Sequence, residues 1–202
     1  MKSTFKRSIA LWLFGIVARQ IASRKLVDPI LRGDTAAQAQ FGEWLKALKA
    51  PRVLELGTRR TKNGTPTIRR DWAPLDAIYI SSDFVNGLDV DMVADAESLS
   101  DAFEHDSLDA VIACSVFEHI RRPWLAAAEI GKVLKPGGKV FVQTHFAFPI
   151  HAHPHDYWRF TKEALETLFG AENGFRNIRS FYAFPCSIFS AEDIHAVLRP
   201  TF

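Results

Sequence analysis

A short apolar run in the first third of the chain constrains the fold most strongly. It covers residues Arg52–Leu56, reads RVLEL, and lies between Pro51 and Gly57. A run of this length, rich in Val and Leu and closed by residues that break regular structure, is typical of a strand buried on both faces. Such strands occur in parallel sheets that are covered by helices. The sequence therefore predicts an α/β domain, with a ligand site beyond the carboxyl end of this strand.

Two residues at the end of this strand are suited to a ligand. Gly57 has no side chain, so the backbone there can approach a bound molecule closely. Glu55 is an acid at the strand's end, and we expect it to be free to bind a cation or a hydroxyl group.

Size and composition indicate one ordinary globular domain. The chain has 202 residues, of which 48% are hydrophobic and 24% charged, with a formal net charge of +2. This charge gives no reason to expect nucleic-acid binding. Two cysteines, Cys114 and Cys186, are too few for a disulfide framework and favour a reducing compartment. We therefore expect a cytoplasmic protein.

The first 25 residues leave three interpretations open. The apolar run Ile9–Ala18 has basic residues on both sides. It is shorter than the roughly 20 residues that span a bilayer. It could be a helix packed on the domain, a helix lying at a membrane interface, or a secretory signal, although a signal should end in small residues and this run ends at Arg19. Peripheral membrane contact is thus one of the alternatives.

Strands and helices alternate along the rest of the chain, which predicts a mostly parallel sheet with right-handed crossovers. After the first strand, further strands are expected at Asp76–Ser81, Val90–Val93, Asp109–Ala113, Lys139–Thr144 and Phe175–Phe184. Helices are expected from Asp34 to the residues before Pro51, over Ser98–Phe103, from Pro123, and from Thr161 to Phe169. Lys135–Gly138 should be a turn, since it contains Pro136 and two glycines.

Four of these stretches, in this order, resemble the class I S-adenosylmethionine-dependent methyltransferases, and most closely the type-11 methyltransferase domain. They are Val53–Gly57, the strand ending at Asp83, Val93–Ala96 and Asp109–Gly138. The last is the most specific, because it combines FEHI at residues 117–120 with VLKPGG at residues 133–138. The segment HDYWRFT at residues 155–161 is also similar to one that recurs in this subgroup.

The resemblance implies a fold, a cofactor and a division of the chain. The fold is a mostly parallel, Rossmann-like methyltransferase fold with helices on both faces of the sheet and an N-terminal helical extension, and the sequence leaves the presence of the family's seventh strand open. Residues 1–50 should form helices that cover the cofactor site, and residues 51–202 should bind S-adenosylmethionine. By the resemblance, Glu55 and Gly57 border the methionine part, Asp83 accepts the ribose hydroxyls, Asp95 and the Ala96 N–H meet the adenine, and Cys114 flanks the methyl group.

The residues after Gly57 depart from the family pattern. The family usually continues with one or two further glycines, whereas this chain has Thr58, Arg59 and Arg60. Threonine has a Cβ and adopts positive φ less cheaply than glycine. The departure keeps a second interpretation open, in which the protein has the methyltransferase fold without activity and serves as a partner module.

Methyl transfer from a sulfonium needs positioning and desolvation, and a hydroxyl acceptor also benefits from a general base. Histidine titrates in the right range, and five histidines follow the fourth and fifth strands: His119, His145, His151, His153 and His155. We expect His119 and His155 to be catalytic, with His145, Tyr157 and Arg159 binding the substrate. The acceptor should be a small molecule or a saccharide or lipid-linked group, methylated on oxygen, that enters between the N-terminal helices and the loop 145–159.

A metal-dependent hydrolase is a further alternative. The alternating His151, His153 and His155 could meet a Zn²⁺ ion, and the segment is similar to the His-x-His-x-Asp-His run of metallo-β-lactamase-like hydrolases with its last two residues reversed. Such a site gives no role to Asp83 or Asp95. The principal interpretation therefore includes no metal.

Overall fold

The computed structural model describes residues 37–60, 64–151 and 155–182. Residues Asp34–Phe181 form one compact unit. The predicted helix at Ile9–Ala18, the start of the helix at Asp34, His153 and Cys186 lie outside the described residues. No helix in the described part of the chain is long and apolar enough to cross a membrane.

Five strands form a sheet in the described part of the chain: β1 (Arg52–Leu56), β2 (Ile78–Asp83), β3 (Met92–Val93), β4 (Leu108–Cys114) and β5 (Leu134–Gln143). They are all parallel and lie in the order β3-β2-β1-β4-β5. The strand order reverses between β1 and β4, and ligands of such sheets bind beyond the carboxyl ends of the strands at that point. The predicted Rossmann-like parallel sheet is confirmed.

The described part of the chain contains three α-helices: α1 (Ala37–Lys46), α2 (Pro123–Val133) and α3 (Lys162–Leu168). Short 3₁₀ helices occur at Arg70–Trp72, Ala96–Asp101, Phe117–His119 and Ala171–Asn173. Pro123 occupies the first turn of α2, where its missing N–H costs nothing. Thr161 begins α3 as predicted, since its side-chain oxygen accepts the Ala164 N–H at 3.1 Å.

Alternate residues of the central strands point into two separate cores. Leu54 and Leu56 of β1 belong to the core that contains α2. Val53 belongs to the other core, together with Phe41 and Leu45 of α1. This alternation follows from the two-residue period of a strand. Helices therefore cover both faces of the sheet, as predicted.

Two predicted elements differ from the structure. The turn expected at Lys135–Gly138 lies within β5 as an irregularity, because Leu108 pairs with Leu134 whereas Ala110 pairs with Lys139. The strand expected at Phe175–Phe184 is wrong over residues 175–181, which form no strand, and residues 183 and 184 lie outside the described part. Gly174 and Asn177 both have positive φ, 82° and 55°, which interrupts an extended chain there.

Candidate active site

The loops that leave β1, β2 and β4 meet at the carboxyl edge of the sheet. The Thr58 N–H donates to the Ser82 carbonyl at 3.0 Å, which joins the loop after β1 to the end of β2. Gly57 has a φ of +73°, and a Cβ built there would overlap Cγ2 of Val116, which follows β4. Glycine is therefore required at this position by both conformation and space. The Gly57 backbone is exposed at this edge of the sheet.

The departure after Gly57 has a structural role. Thr58 is not among the residues with positive φ, so its Cβ causes no strain there. Its hydroxyl donates to the Asp89 carbonyl at 2.7 Å. Arg60 forms an ion pair with the Asp89 carboxylate, with Nε 2.9 Å from Oδ2. These contacts fasten the loop after β1 to the loop after β2, where the family pattern has flexible glycines.

Asp83 ends β2 and keeps one carboxylate oxygen available. Its Oδ1 accepts the Val85 N–H at 3.0 Å and lies 3.7 Å from Nε of Arg59. The described contacts of the side chain all use Oδ1, and the side chain is 12% exposed. Oδ2 therefore remains for a hydroxyl donor on a ligand, which fits the role implied for Asp83.

Asp95 and Ala96 lie just past β3. The Asp95 carboxylate accepts the Glu97 N–H at 2.9 Å and thereby caps the 3₁₀ helix Ala96–Asp101. Ala96 is the first residue of this helix, and helix geometry gives the N–H there no acceptor within the helix. Asp95 is exposed, so its cap role leaves carboxylate surface open to solvent or to a ligand.

Glu55 is not the free carboxylate that the sequence led us to expect. It is 1% exposed and accepts three hydrogen bonds, from the Arg69 N–H at 2.9 Å, Arg69 Nη1 at 3.0 Å and the Tyr79 hydroxyl at 2.5 Å. Burial, reinforced by Glu55, raises the pKa of Tyr79 far above its usual value. Glu55 therefore holds Arg69 and Tyr79 in place. The strand register indicates the contact with Tyr79, because Tyr79 pairs with Val53 and therefore lies on the same face of the sheet as Glu55.

Cys114 is the last residue of β4 and is 7% exposed. Burial raises the pKa of its thiol to about 12, so the sulfur is a neutral group at physiological pH. The next residue, Ser115, has a positive φ of 56° and its N–H donates to the Gln143 carbonyl at 2.7 Å. The chain thus turns sharply out of the strand at the position implied for the methyl group.

Glu118 is the centre of a cluster that sequence reasoning did not select. It is fully buried, and its Oε2 accepts the Thr144 hydroxyl at 2.7 Å. Three histidines face its other oxygen: Nε2 of His145 lies 3.1 Å from Oε1, and Nε2 of His119 and of His151 each lie 3.9 Å away. Among the described residues, Oε1 nevertheless has no hydrogen-bond partner. We call these four side chains the Glu118 cluster.

The surroundings of His145 in the Glu118 cluster favour its neutral form. Burial, together with the neighbouring His151, Arg159 and His119, lowers the pKa of His145, although Glu118 opposes this shift. A lowered pKa keeps the His145 ring uncharged at neutral pH.

The two histidines expected to be catalytic have different surroundings. Nδ1 of His119 lies 2.5 Å from the His155 carbonyl oxygen, which assigns the Nδ1 proton to this bond and leaves a lone pair on Nε2. The His155 ring is exposed and lies against Tyr157, with the ring centroids 5.5 Å apart. His155 thus reaches His119 through its backbone and not through its imidazole.

The expected substrate residues are also divided. His145 belongs to the Glu118 cluster, whereas Tyr157 is 44% exposed. Arg159 donates to both oxygens of Asp156 and to the carbonyls of Phe148 and Pro149. Its hydrogen bond to Asp156 is the main reason that the pKa of this carboxyl is well below its usual range. Arg159 is therefore occupied in shaping the loop, rather than open to an anionic ligand.

Comparison with known families agrees with this geometry. Residues 76–142 match the model of a family described as a methyltransferase domain. The predicted resemblance to a methyltransferase domain is thereby confirmed. The match begins just before β2 and ends in β5, so it includes Asp83, Asp95 and the Glu118 turn. Comparison with curated proteins gives no significant match.

Solved structures of methyltransferases share the fold. Phosphoethanolamine N-methyltransferase 2 of Haemonchus contortus, in complex with phosphomonomethylethanolamine and S-adenosylhomocysteine, superposes with a TM-score of 0.52 at 20% identity, over 69% of this chain and 37% of that chain. Its complex with S-adenosyl-L-methionine gives 0.51 at 19% identity, over 69% and 36% of the two chains. The CurJ carbon methyltransferase gives 0.50 at 17% identity, over 70% and 46%. The chain spans less than half of these proteins, and at these identities the likeness concerns the fold alone.

Proposed function

We propose that this protein is an S-adenosylmethionine-dependent methyltransferase that methylates an oxygen of a small-molecule, saccharide or lipid-linked acceptor. The observation that carries the proposal is the arrangement at the ends of β1, β2 and β3. Gly57, whose conformation and surroundings require glycine, follows β1. Asp83, which has an available carboxylate oxygen, ends β2, and a capped 3₁₀ helix follows β3. The family match over residues 76–142 supports the same conclusion.

The residues present fit the cofactor. A Cβ at Gly57 would overlap Val116, so the exposed backbone keeps its path at this edge only with glycine there. We propose that Asp83 binds the ribose hydroxyls, and that Asp95 and the Ala96 N–H bind the adenine. Gly57 and the Cys114 end of β4 would border the methionine and methyl groups. When bound, S-adenosylmethionine supplies a methyl group already activated on sulfonium sulfur.

Glu55 takes an indirect role in this proposal. Its carboxylate is consumed by Arg69 and Tyr79, so we assign it to positioning those two side chains next to the edge. The buried ion pair is held by three hydrogen bonds, and removal of one partner would leave an uncompensated buried charge.

His119 is the proposed general base for a hydroxyl acceptor. Its Nδ1–H donates to the His155 carbonyl, so Nε2 carries the lone pair that can accept a proton. His155 supports this tautomer through its backbone, while His145, Tyr157 and Arg159 would shape the acceptor pocket. The side chain of His119 is 16% exposed, which gives an acceptor limited access to it.

Calorimetric titration with S-adenosylhomocysteine tests cofactor binding directly. We expect saturable binding in the micromolar range, about −8 kcal/mol. A folded sample that does not bind would refute the enzyme and favour the partner module with a methyltransferase fold.

Methyl transfer to panels of sugars, phenols and lipid-linked saccharides then tests the reaction, with labelled S-adenosylmethionine as donor. His119→Gln should reduce the rate by about 100-fold, the usual contribution of a general base, without changing cofactor affinity. His105→Ala is the matched control, because His105 is exposed and lies outside the candidate site. An unchanged rate in His119→Gln would remove His119 from the mechanism.

A further inference from the structure

The Glu118 cluster contains a buried charge without sufficient compensation. Glu118 is 0% exposed, and its Oε1 has no hydrogen-bond partner among the described residues. An unpaired carboxylate oxygen in a protein interior is costly, and native structures compensate it with donors, water or an ion. The neighbours of Oε1 are imidazole nitrogens, which can either form hydrogen bonds or bind a metal ion.

The ligand atoms are already grouped. One oxygen of Glu118 and one ring nitrogen each of His145 and His151 all lie within 4.8 Å of one another. The donors around a tetrahedral zinc ion are about 3.3 Å apart, as follows from bonds of about 2.0 Å. Side-chain movements of roughly 1.5 Å would therefore bring the three donors to bonding distance.

The ring nitrogens are oriented as ligands. Nδ1 of His151 lies 3.4 Å from Oδ2 of Asp156 and 3.3 Å from the Pro149 carbonyl oxygen, so the proton belongs on Nδ1 and the lone pair on Nε2. A carboxylate that holds the far nitrogen of a ligating histidine is a common feature of metal sites. Asp156 is itself fixed, since it accepts the His151 N–H at 2.8 Å and two bonds from Arg159.

The backbone also holds the cluster together. The Tyr157 and Trp158 N–H groups donate to the Glu118 carbonyl at 2.8 and 3.2 Å. The Phe160 N–H donates to the His145 carbonyl at 2.9 Å. The three segments that carry the cluster are thereby tied to one another. The Thr144 hydroxyl turns the Glu118 carboxylate so that Oε1 faces the histidines.

We propose that Glu118, His145 and His151 bind a divalent transition-metal ion, with zinc the best match to the donor set. Two imidazoles and one carboxylate leave a coordination position open, as in catalytic zinc sites. The set differs from the alternating histidines 151, 153 and 155 considered from the sequence: His151 faces Glu118, the His155 ring lies against Tyr157, and His153 lies outside the described residues. The inference does not depend on methyl transfer.

The experiment measures zinc binding to the full chain, purified without a histidine tag and stripped with a chelator. Wild-type protein should bind one equivalent of Zn²⁺ in calorimetry and in elemental analysis after dialysis. Co²⁺ should give visible absorption bands of a four- or five-coordinate site, whereas Mg²⁺ should not bind. A folded wild-type protein that binds no Zn²⁺ overturns the proposal.

Variants assign the ligands. Glu118→Gln and His145→Ala should lose stoichiometric zinc, and Asp156→Asn should weaken binding by about 10- to 100-fold, as for other outer partners of ligating histidines. His105→Ala should bind like wild type. Since the buried Glu118 could be needed for folding, His151→Ala, whose side chain is 28% exposed, is the second test. Folded His145→Ala and His151→Ala proteins with wild-type affinity would overturn the proposal.

Titration of the same samples with S-adenosylhomocysteine separates this inference from the proposed function. Zinc binding without cofactor binding would retain the metal site and remove the methyltransferase. Cofactor binding without zinc binding would retain the methyltransferase and remove the metal site.

Discussion

The substitution Asp83→Asn tests where the cofactor binds. Asparagine keeps an oxygen for the Val85 N–H, so the loop after β2 retains its shape, but its NH₂ group, which cannot accept a hydrogen bond, replaces the available Oδ2. Hydrogen bonds to a charged group contribute about 1.5–3 kcal/mol each, and those to a neutral group about 0.5–1.5 kcal/mol. If a ribose hydroxyl donates to Oδ2, the substitution removes a hydrogen bond to a charged group and should cost about 1.5–3 kcal/mol, or roughly 10- to 150-fold in affinity for S-adenosylhomocysteine.

The Arg59–Asp83 pair could complicate this result, and its size can be bounded. The two groups are 3.7 Å apart and the Arg59 side chain is 35% exposed. Such a pair contributes at most about 1 kcal/mol. The free energy lost with this pair would therefore affect mainly the loop. It would be smaller than the free energy of cofactor binding that we expect the substitution to remove.

Asp89→Asn is the matched control. Asp89 lies on the same loop, pairs with Arg60 and has a positive φ of 64°, a conformation that asparagine tolerates. This control removes the charge of an aspartate paired with arginine without touching the proposed ribose site, so we expect affinity for S-adenosylhomocysteine within about twofold of wild type. Calorimetry on both variants decides the matter. Wild-type affinity in Asp83→Asn, or an equal loss in both variants, would refute the placement of the ribose.

Two further substitutions test the fold that supports the site. Gly57→Ala should destabilise the protein by about 2–5 kcal/mol in urea unfolding, because it combines positive φ with overlap on Val116; an unchanged midpoint would contradict this account of the loop. Glu129→Gln should cost about 1–2 kcal/mol at pH 7. Burial alone would raise the pKa of Glu129, but hydrogen bonds from Lys132 and Ser100 outweigh it and lower the pKa to about 2. Because the pKa of Glu129 is lower in the folded protein than in the unfolded chain, the ionised carboxylate stabilises the fold above about pH 4.5, and this stabilisation is lost as the pH falls towards 2. The difference in free energy of unfolding between Glu129→Gln and wild type should therefore narrow over this pH range. A constant difference would show that the charge of Glu129 is not responsible.

The sequence was most informative where local pattern decides structure. Val53 and Leu54 lie in a run whose length and flanks predict a buried strand, and Thr161 caps α3 through a bond to a residue three positions on. Both features depend on near neighbours along the chain. The strand predicted from Phe175 failed for the same kind of reason, because the left-handed Asn177 was not recognised as an interruption.

The candidate site could be predicted only in part. Asp83 and Asp95 follow strands, so their place at one edge of the sheet follows from the parallel topology. Glu118 was noticed as part of a motif but not as a buried charge, since the 3₁₀ turn that carries it has no long hydrophobic period. Its meeting with His145 and His151 depends on three segments converging in space, which no spacing within one segment reveals.

The arginines after Gly57 make the cofactor edge sensitive to its ionic surroundings. A glycine-rich loop keeps its path through backbone geometry, on which dissolved salt has little influence. Here the path also depends on the Arg59–Asp83 pair, whose arginine side chain is 35% exposed, and on the Arg60–Asp89 pair, whose facing atoms are buried. Salt acts mainly on the first pair, because buried pairs are screened much less. The screening length falls from about 8 Å at physiological ionic strength to about 3 Å in 1 M salt. Concentrated salt should therefore weaken the exposed ion pairing at this edge. The conformation of the edge then depends on the ionic strength of the buffer.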